Sequence, residues 1–129
     1  MHPTILRMQE IVSKGDEEEI KEILSREVQF KPPTYYKTWT GKDAVSAVLG
    51  HVGKIVHNFE YTRIMGENNN WALEFKCKIG NLDIVGVDLI TLGEDGLIEL
   101  FEVTMRPLKS IQALREAINA RVMKDPRFL

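Results

Sequence analysis

Asp88 is the residue whose type and setting point most directly to chemistry. It lies in Ile84-Val85-Gly86-Val87-Asp88-Leu89-Ile90, the most apolar strand-like run of the sequence. A carboxylate in such a run is costly to bury unless it has a partner or keeps its proton. Desolvation raises a carboxyl pKa, and a protonated Asp can donate a hydrogen bond. Two readings stay open. Asp88 is a pocket acid or hydrogen-bond donor, or it is bonded to a neighbouring backbone group or a buried Arg. Perturbed acids gather at functional sites, but structural pairs perturb them too.

Tyr35, Tyr36 and Trp39 form a second group, in the loop PPTYYKTWTG. Clustered loop aromatics either line a pocket mouth or make a satellite core under the loop. The three histidines, His2, His51 and His57, share no i,i+3 or i,i+4 spacing. Cys77 is the single cysteine, so neither an intrachain disulfide nor a multi-cysteine zinc site is available. On the alternating apolar face where it falls, Cys77 reads as a small hydrophobe. G-x-S-x-G, phosphate-loop and G-x-G-x-x-G patterns are missing from the sequence. No metal and no cofactor is expected.

The elements that must position these side chains follow from apolar spacing. Residues 4–14 carry Ile5, Met8, Ile11 and Val12 at helical intervals, with Thr4 as N-cap. Gly15 breaks that pattern. Asp16 then caps a second short helix, whose first turn holds Glu17, Glu18 and Glu19. Residues 27–31 alternate like a short strand and stop at Pro32-Pro33. A third helix runs over residues 42–56, and from Asn58 the apolar period becomes 2. Strands follow at 58–66, 71–79, 82–92 and 97–105, separated by turn signals at Glu67–Asn70, Gly80-Asn81 and Glu94-Asp95-Gly96. A last amphipathic helix covers residues 108–123. Short turns imply an antiparallel meander, and the segregation of helices implies an α+β fold with helices on one sheet face.

In the strand at 82–92, Gly86, Asp88 and Ile90 share one face. Val85, Val87, Leu89 and Thr91 share the other, and a second copy of the chain is the economical cover for it. The length of 129 residues suits one domain, 1–129. With 17 basic and 19 acidic residues the net charge is −2, which gives no footprint for nucleic acid. No apolar run reaches about 18 residues, so no membrane span is expected. The N-terminus MHPTILRMQEIV lacks a charged-then-apolar leader, and a cytoplasmic protein is expected.

The order of these pieces resembles the nuclear transport factor 2-like superfamily, in its SnoaL-like and ketosteroid-isomerase-like branch. The resemblance spans roughly residues 5–122. It is carried by Gly15-Asp16, Glu27 to Pro33, Gly41-Lys42-Asp43-Ala44-Val45, Gly86-Val87-Asp88-Leu89-Ile90, Asp95-Gly96-Leu97-Ile98 and Met105-Arg106-Pro107. It implies a cystatin-like cone: a curved antiparallel sheet wrapped around the N-terminal helices, here with an extra C-terminal helix. It also implies an apolar pocket in the cone and homodimers through the outer sheet face.

Against the isomerases, Asp88 falls at the protonated oxyanion-hole aspartate. Met8 stands where they keep a catalytic tyrosine, and Pro32 falls at or beside their general-base aspartate. Proton transfer between carbons needs a base within reach, so a steroid isomerase of that mechanism is not expected. Polyketide-cyclase-type chemistry asks less. Asp88 would be its acid, with His51 or His57 as a helper if the third helix turns one inward.

The expected site is therefore catalytic Asp88 with Tyr35, Trp39, Trp71, Leu73, Phe75, Phe101 and Met105 around a small, mostly apolar ligand bearing a carbonyl or hydroxyl. The alternative is a non-catalytic ligand-binding or dimerisation module. Arg106 is read either as an anion anchor or as the partner of an acid such as Glu102. A C-terminal helix that covers the cone would weigh against a small-molecule role.

Overall fold

The computed structural model describes residues 1–128. Helix α1 (Pro3–Ile11) opens on a proline, whose fixed φ suits the first helical position. Its cap differs from the expected Thr4: the His2 ring Nδ1 accepts from the Thr4 N–H at 3.0 Å. The Thr4 hydroxyl instead donates to the Gly96 carbonyl. A 3-10 turn, Val12–Lys14, follows α1 and ends on Gly15 at φ 69°. Helix α2 (Glu17–Ile23) is capped by Asp16, whose Oδ1 accepts from Glu18 N at 3.0 Å and Glu19 N at 3.2 Å. Helix α3 (Lys42–Ile55) presses its glycines against that first turn. A Cβ on Gly53 would sit 2.6 Å from the Gly15 Cα.

Six strands form one curved sheet in the order β2-β1-β6-β5-β4-β3. They are β1 (Leu24–Lys31), β2 (Trp39–Thr40), β3 (His57–Glu67), β4 (Asn70–Ile79), β5 (Leu82–Leu92) and β6 (Ile98–Arg106). Strands β3 to β6 make the antiparallel meander that their short turns require. Strand β1 lies parallel to β6, so the sheet is mixed. β1 also begins three residues before residue 27, straight out of α2, with Leu24 and Val28 buried. The fold class is α+β.

The concave face carries one continuous apolar cluster. Ile5, Met8, Ile20, Val45 and Val48 from the helices meet Leu73, Phe75, Ile84, Ile90 and Phe101 from the sheet. Helix α4 (Leu108–Val122) and a final 3-10 turn, Pro126–Phe128, complete the described chain. Among the described residues, no helix is long and apolar enough to cross a membrane. No group of three or more metal-ligating side chains occurs among them.

Candidate functional site

The curvature of the sheet leaves a cavity of about 70 Å³ between its concave face, α3 and α4. The strands supply Phe30, Phe59, Phe75, Cys77, Asp88, Phe101, Val103 and Met105 to its wall. Val48, Leu49 and Val52 of α3 form the opposite side, and Leu114 and Ile118 of α4 cover the top. Pro32, Pro33, Thr34 and Tyr35, in the loop after β1, border it as well. Aromatic packing fixes much of this surface. Phe30 meets Phe101 edge-on at 5.5 Å between centroids, and Phe59 stacks on Phe75 at 5.0 Å. Gly86, opposite Phe75 on the neighbouring strand, leaves room for the Phe75 ring: a Cβ there would lie 2.4 Å from its tip.

Asp88 is the one carboxyl on the wall, and only 4% of it is exposed. β5 presents it between Leu73 of β4 and Val103 of β6. The Tyr61 hydroxyl donates to its Oδ2 at 2.9 Å. Among the described residues Oδ1 takes no hydrogen bond, yet no buried side-chain oxygen is left unsatisfied, so Oδ1 is open to the cavity. Burial pushes the carboxyl pKa up to about 7, against the opposing pull of the Tyr61 bond. Burial raises the Tyr61 phenol too, and the adjacent Asp88 adds to that effect. Tyr61 therefore keeps its proton and remains a donor. Near neutral pH the Asp88 carboxyl is divided between its acid and its carboxylate. The acid offers an O–H to a ligand oxygen, and the carboxylate accepts a proton.

Tyr35, Trp39, Phe75, Phe101 and Met105 border the same cavity as Asp88. Trp71 and Leu73 do not, which corrects their expected place in the site. Alternation does turn both inward. Leu73 is fully buried in the core, and Trp71 closes the β3–β4 hairpin. The Trp71 indole N–H donates to the Asn68 carbonyl at 2.9 Å, and the ring lies against Gly66. Tyr36 is fully exposed. Met8 is a core residue, and Pro32 is part of the cavity wall.

Neither histidine joins Asp88. His51 is buried between Asp125, 2.8 Å from its Nε2, and Arg121, which donates to its Nδ1 at 3.0 Å. His57 lies at the exposed start of β3, with Nε2 3.0 Å from the Gly80 carbonyl. Arg106 is exposed at the end of β6, opposite Val85. The sequence reading missed Tyr61. Its signal was the pair Phe59 and Tyr61 at strand spacing, masked by two register shifts that let β3 change phase before Ile64.

Residues 5–101 match the SnoaL-like domain family. No curated protein matches the chain. A crystal structure of an uncharacterized protein with a cystatin-like fold, from Silicibacter pomeroyi DSS-3, is 66% identical. It superposes with a TM-score of 0.98, covering 99% of this chain and 91% of that one. A steroid delta-isomerase from Pseudomonas aeruginosa is 28% identical with a TM-score of 0.88, covering 94% and 90%. The epoxide hydrolase/cyclase-like enzyme SalBIII shares the fold at 17% identity and a TM-score of 0.70, covering 83% and 90%. The matched residues include β1 to β5, and so the strand that carries Asp88: the chain belongs to the SnoaL-like domain family, within the nuclear transport factor 2-like superfamily.

Proposed function

We propose that the cavity binds a small, mostly apolar molecule with a carbonyl or hydroxyl oxygen directed at Asp88, and that Asp88 supplies the acid half of isomerase- or cyclase-type chemistry. The observation that carries this reading is the open Oδ1 of a buried carboxyl titrating near neutrality. The Tyr61 hydroxyl occupies Oδ2, so a proton on Oδ1 points to the ligand. A hydrogen bond from that proton to a ligand carbonyl stabilises the negative charge that develops on oxygen during enolisation or ring closure. The aromatic wall excludes water and strengthens that bond. The likeness to a steroid delta-isomerase supports the reading at the level of the fold.

A second reading is favoured by one feature of the wall. Asp88 is its only carboxyl, no imidazole borders it, and burial pushes the Cys77 thiol up to about 12. No second acid–base group stands ready to take a proton from carbon. On this reading the chain binds the same ligand without turning it over. Under either reading we propose a homodimer formed through the outer sheet face.

The test is thermal stabilisation by cyclic ketones, enones and phenols, with hydrocarbons of the same shape as controls. At about 100 times its dissociation constant a ligand adds roughly 2.7 kcal/mol. Oxygen-bearing compounds should stabilise the wild type, and Asp88→Asn should weaken them against their hydrocarbon controls. Deuterium exchange at the ligand's α-carbon in D2O then separates the readings, since only the catalytic one predicts an Asp88-dependent rate. Equal effects of ketone and hydrocarbon would remove Asp88 from the site.

A further inference from the structure

At about 70 Å³ the cavity is far smaller than typical ligand pockets of roughly 300–1,000 Å³. Something in its cover must move before a ligand of several rings can enter. Two segments form that cover, α4 and the loop of residues 32–38, and they are held in very different ways.

Helix α4 is fastened at both ends. Near its start the buried Ser110 hydroxyl donates to the Asp83 carbonyl at 2.6 Å. Near its end Arg121 donates to His51, and the chain beyond folds back over α3. There Asp125 bonds His51, and Arg127 bridges Asp125 at 2.7 Å and Glu17 at 2.6 Å. The Phe128 ring sits 5.6 Å from that of Trp39 and 5.8 Å from that of His51.

The 32–38 loop has no such fastening. Among the described residues its backbone forms no backbone hydrogen bond. Its one side-chain hydrogen bond runs from the Tyr35 hydroxyl to Asn119 Oδ1 on α4. The Arg115 guanidinium covers the Tyr35 ring at 4.6 Å from its centroid. Segments with few backbone bonds are the ones that open at low cost. Tyr35 also borders the cavity, so releasing it opens the wall. α4 lies beyond the residues that match the family, so the latch partners Arg115 and Asn119 stand outside the matched core.

We infer that the 32–38 loop is the door of the cavity, that α4 is its fixed post, and that Tyr35 on Asn119 and Arg115 is the latch. This concerns access to the site of the proposed function. It rests on that reading only for what enters, and the test reads opening with no ligand present.

The single thiol, Cys77, lines the cavity and reports access to it. The experiment follows its labelling by 4,4′-dithiodipyridine at fixed pH in native buffer. Because Cys77 also borders a shallow depression beside Glu60 and Lys76, a second reporter is used: Val48→Cys in a Cys77→Ala background. Tyr35→Phe and Asn119→Ala keep the ring in the wall and remove the latch bond. Each should speed labelling at both reporters about two- to tenfold, the range open to the loss of one hydrogen bond, with an unchanged melting point. Arg127→Ala, which loosens α4, should leave native-state labelling at its wild-type rate.

The opposite pattern, faster labelling in Arg127→Ala alone, makes α4 the door and overturns the inference. So do rates that change in no variant, or that simply track global stability in urea. Faster labelling in the latch variants with no compound bound in the thermal screen keeps the door and removes the proposed ligand.

Discussion

Burial holds the Asp88 carboxyl at about 7, whereas an unfolded chain releases that proton near about 3.9. Between those values the folded protein keeps a proton that the unfolded chain has lost. The stability that comes from Asp88 is thus complete below about pH 4 and is lost as pH rises through about 7. Some three pH units at about 1.4 kcal/mol each make this about 4 kcal/mol. Asp88→Asn removes the titration and keeps the shape. Urea denaturation should therefore show the variant gaining on the wild type by that order between pH 4 and pH 8. A difference that stays flat with pH would mean that the carboxyl reaches water when it ionises. Tyr61→Phe removes the one bond that favours the carboxylate, so Asp88 should titrate higher still, as read by carbon NMR of the side-chain carboxyl. An unchanged titration would show that the Tyr61 bond does not form in solution. A carboxyl in an apolar run is visible in a sequence because its cost is visible. Its partner was not, because Tyr61 reaches it across β4 from a strand whose phase slips twice.

Among the elements, the junction of α3 with the turn before α2 tolerates the least change. Gly15 takes a left-handed φ of 69°, and its carbonyl accepts from Lys54 Nζ at 2.8 Å. Gly53 of α3 meets it backbone to backbone. Gly53→Ala puts a methyl group where only backbone can yield. It should cost about 1–3 kcal/mol, the usual penalty of overpacking, and lower the melting point by several degrees. An unaltered melting point would show that α3 is free to shift away from the turn. The Gly-Asp turn itself was legible, since Gly15 ends one helix pattern and Asp16 starts the next. α3, β5 and α4 fall within a residue of their expected bounds because each is long and strongly patterned. β1 was read short because α2 passes into it with no turn residue between. The parallel pairing of β1 with β6 left no local sign, since it joins segments far apart in the chain. Nor did the position of α4: an amphipathic pattern shows that a helix covers something apolar, but not which surface. The cover over the cavity is therefore a finding of the structure. It weakens a small-molecule role only if nothing in the cover can open, which is why the loop latch matters to the function.

At the scale of the whole molecule, the convex sheet face is what a monomer leaves unexplained. Val85, Val87 and Thr91 of β5 are half-buried there, and Leu89 is 40% exposed. Ala72 of β4 and Leu100 of β6 flank them in register. Charged side chains border the strip on both sides: Glu74 with Arg63 and Lys76 with Glu60 at 2.9 Å toward β3, and Glu102 and Arg106 opposite Leu89 and Val85 on β6. An apolar strip beside a charged margin is the anatomy of a protein interface, and on a closed dimer the same patch serves both copies. The Arg63–Glu74 pair is well made, since Arg63 and the Thr62 hydroxyl together hold the Glu74 carboxyl down to about 2. Arg63 is exposed, so in the proposed dimer this pair would direct the two copies more than bind them. A stable pair of this kind buries about 1,200–2,000 Å² in total. Sedimentation equilibrium at micromolar concentration should therefore give twice the chain mass of 14.8 kDa. Leu89→Arg places two like charges at the centre of the patch, and should return the mass of one chain with the far-UV spectrum intact. Its cavity should still bind, because Leu89 points away from Asp88 on the same strand. A wild type that sediments as one chain would assign the strip to ordinary surface. A monomeric Leu89→Arg that also loses ligand binding would instead make the dimer part of the site, and would tie the convex face to the curvature that forms the cavity.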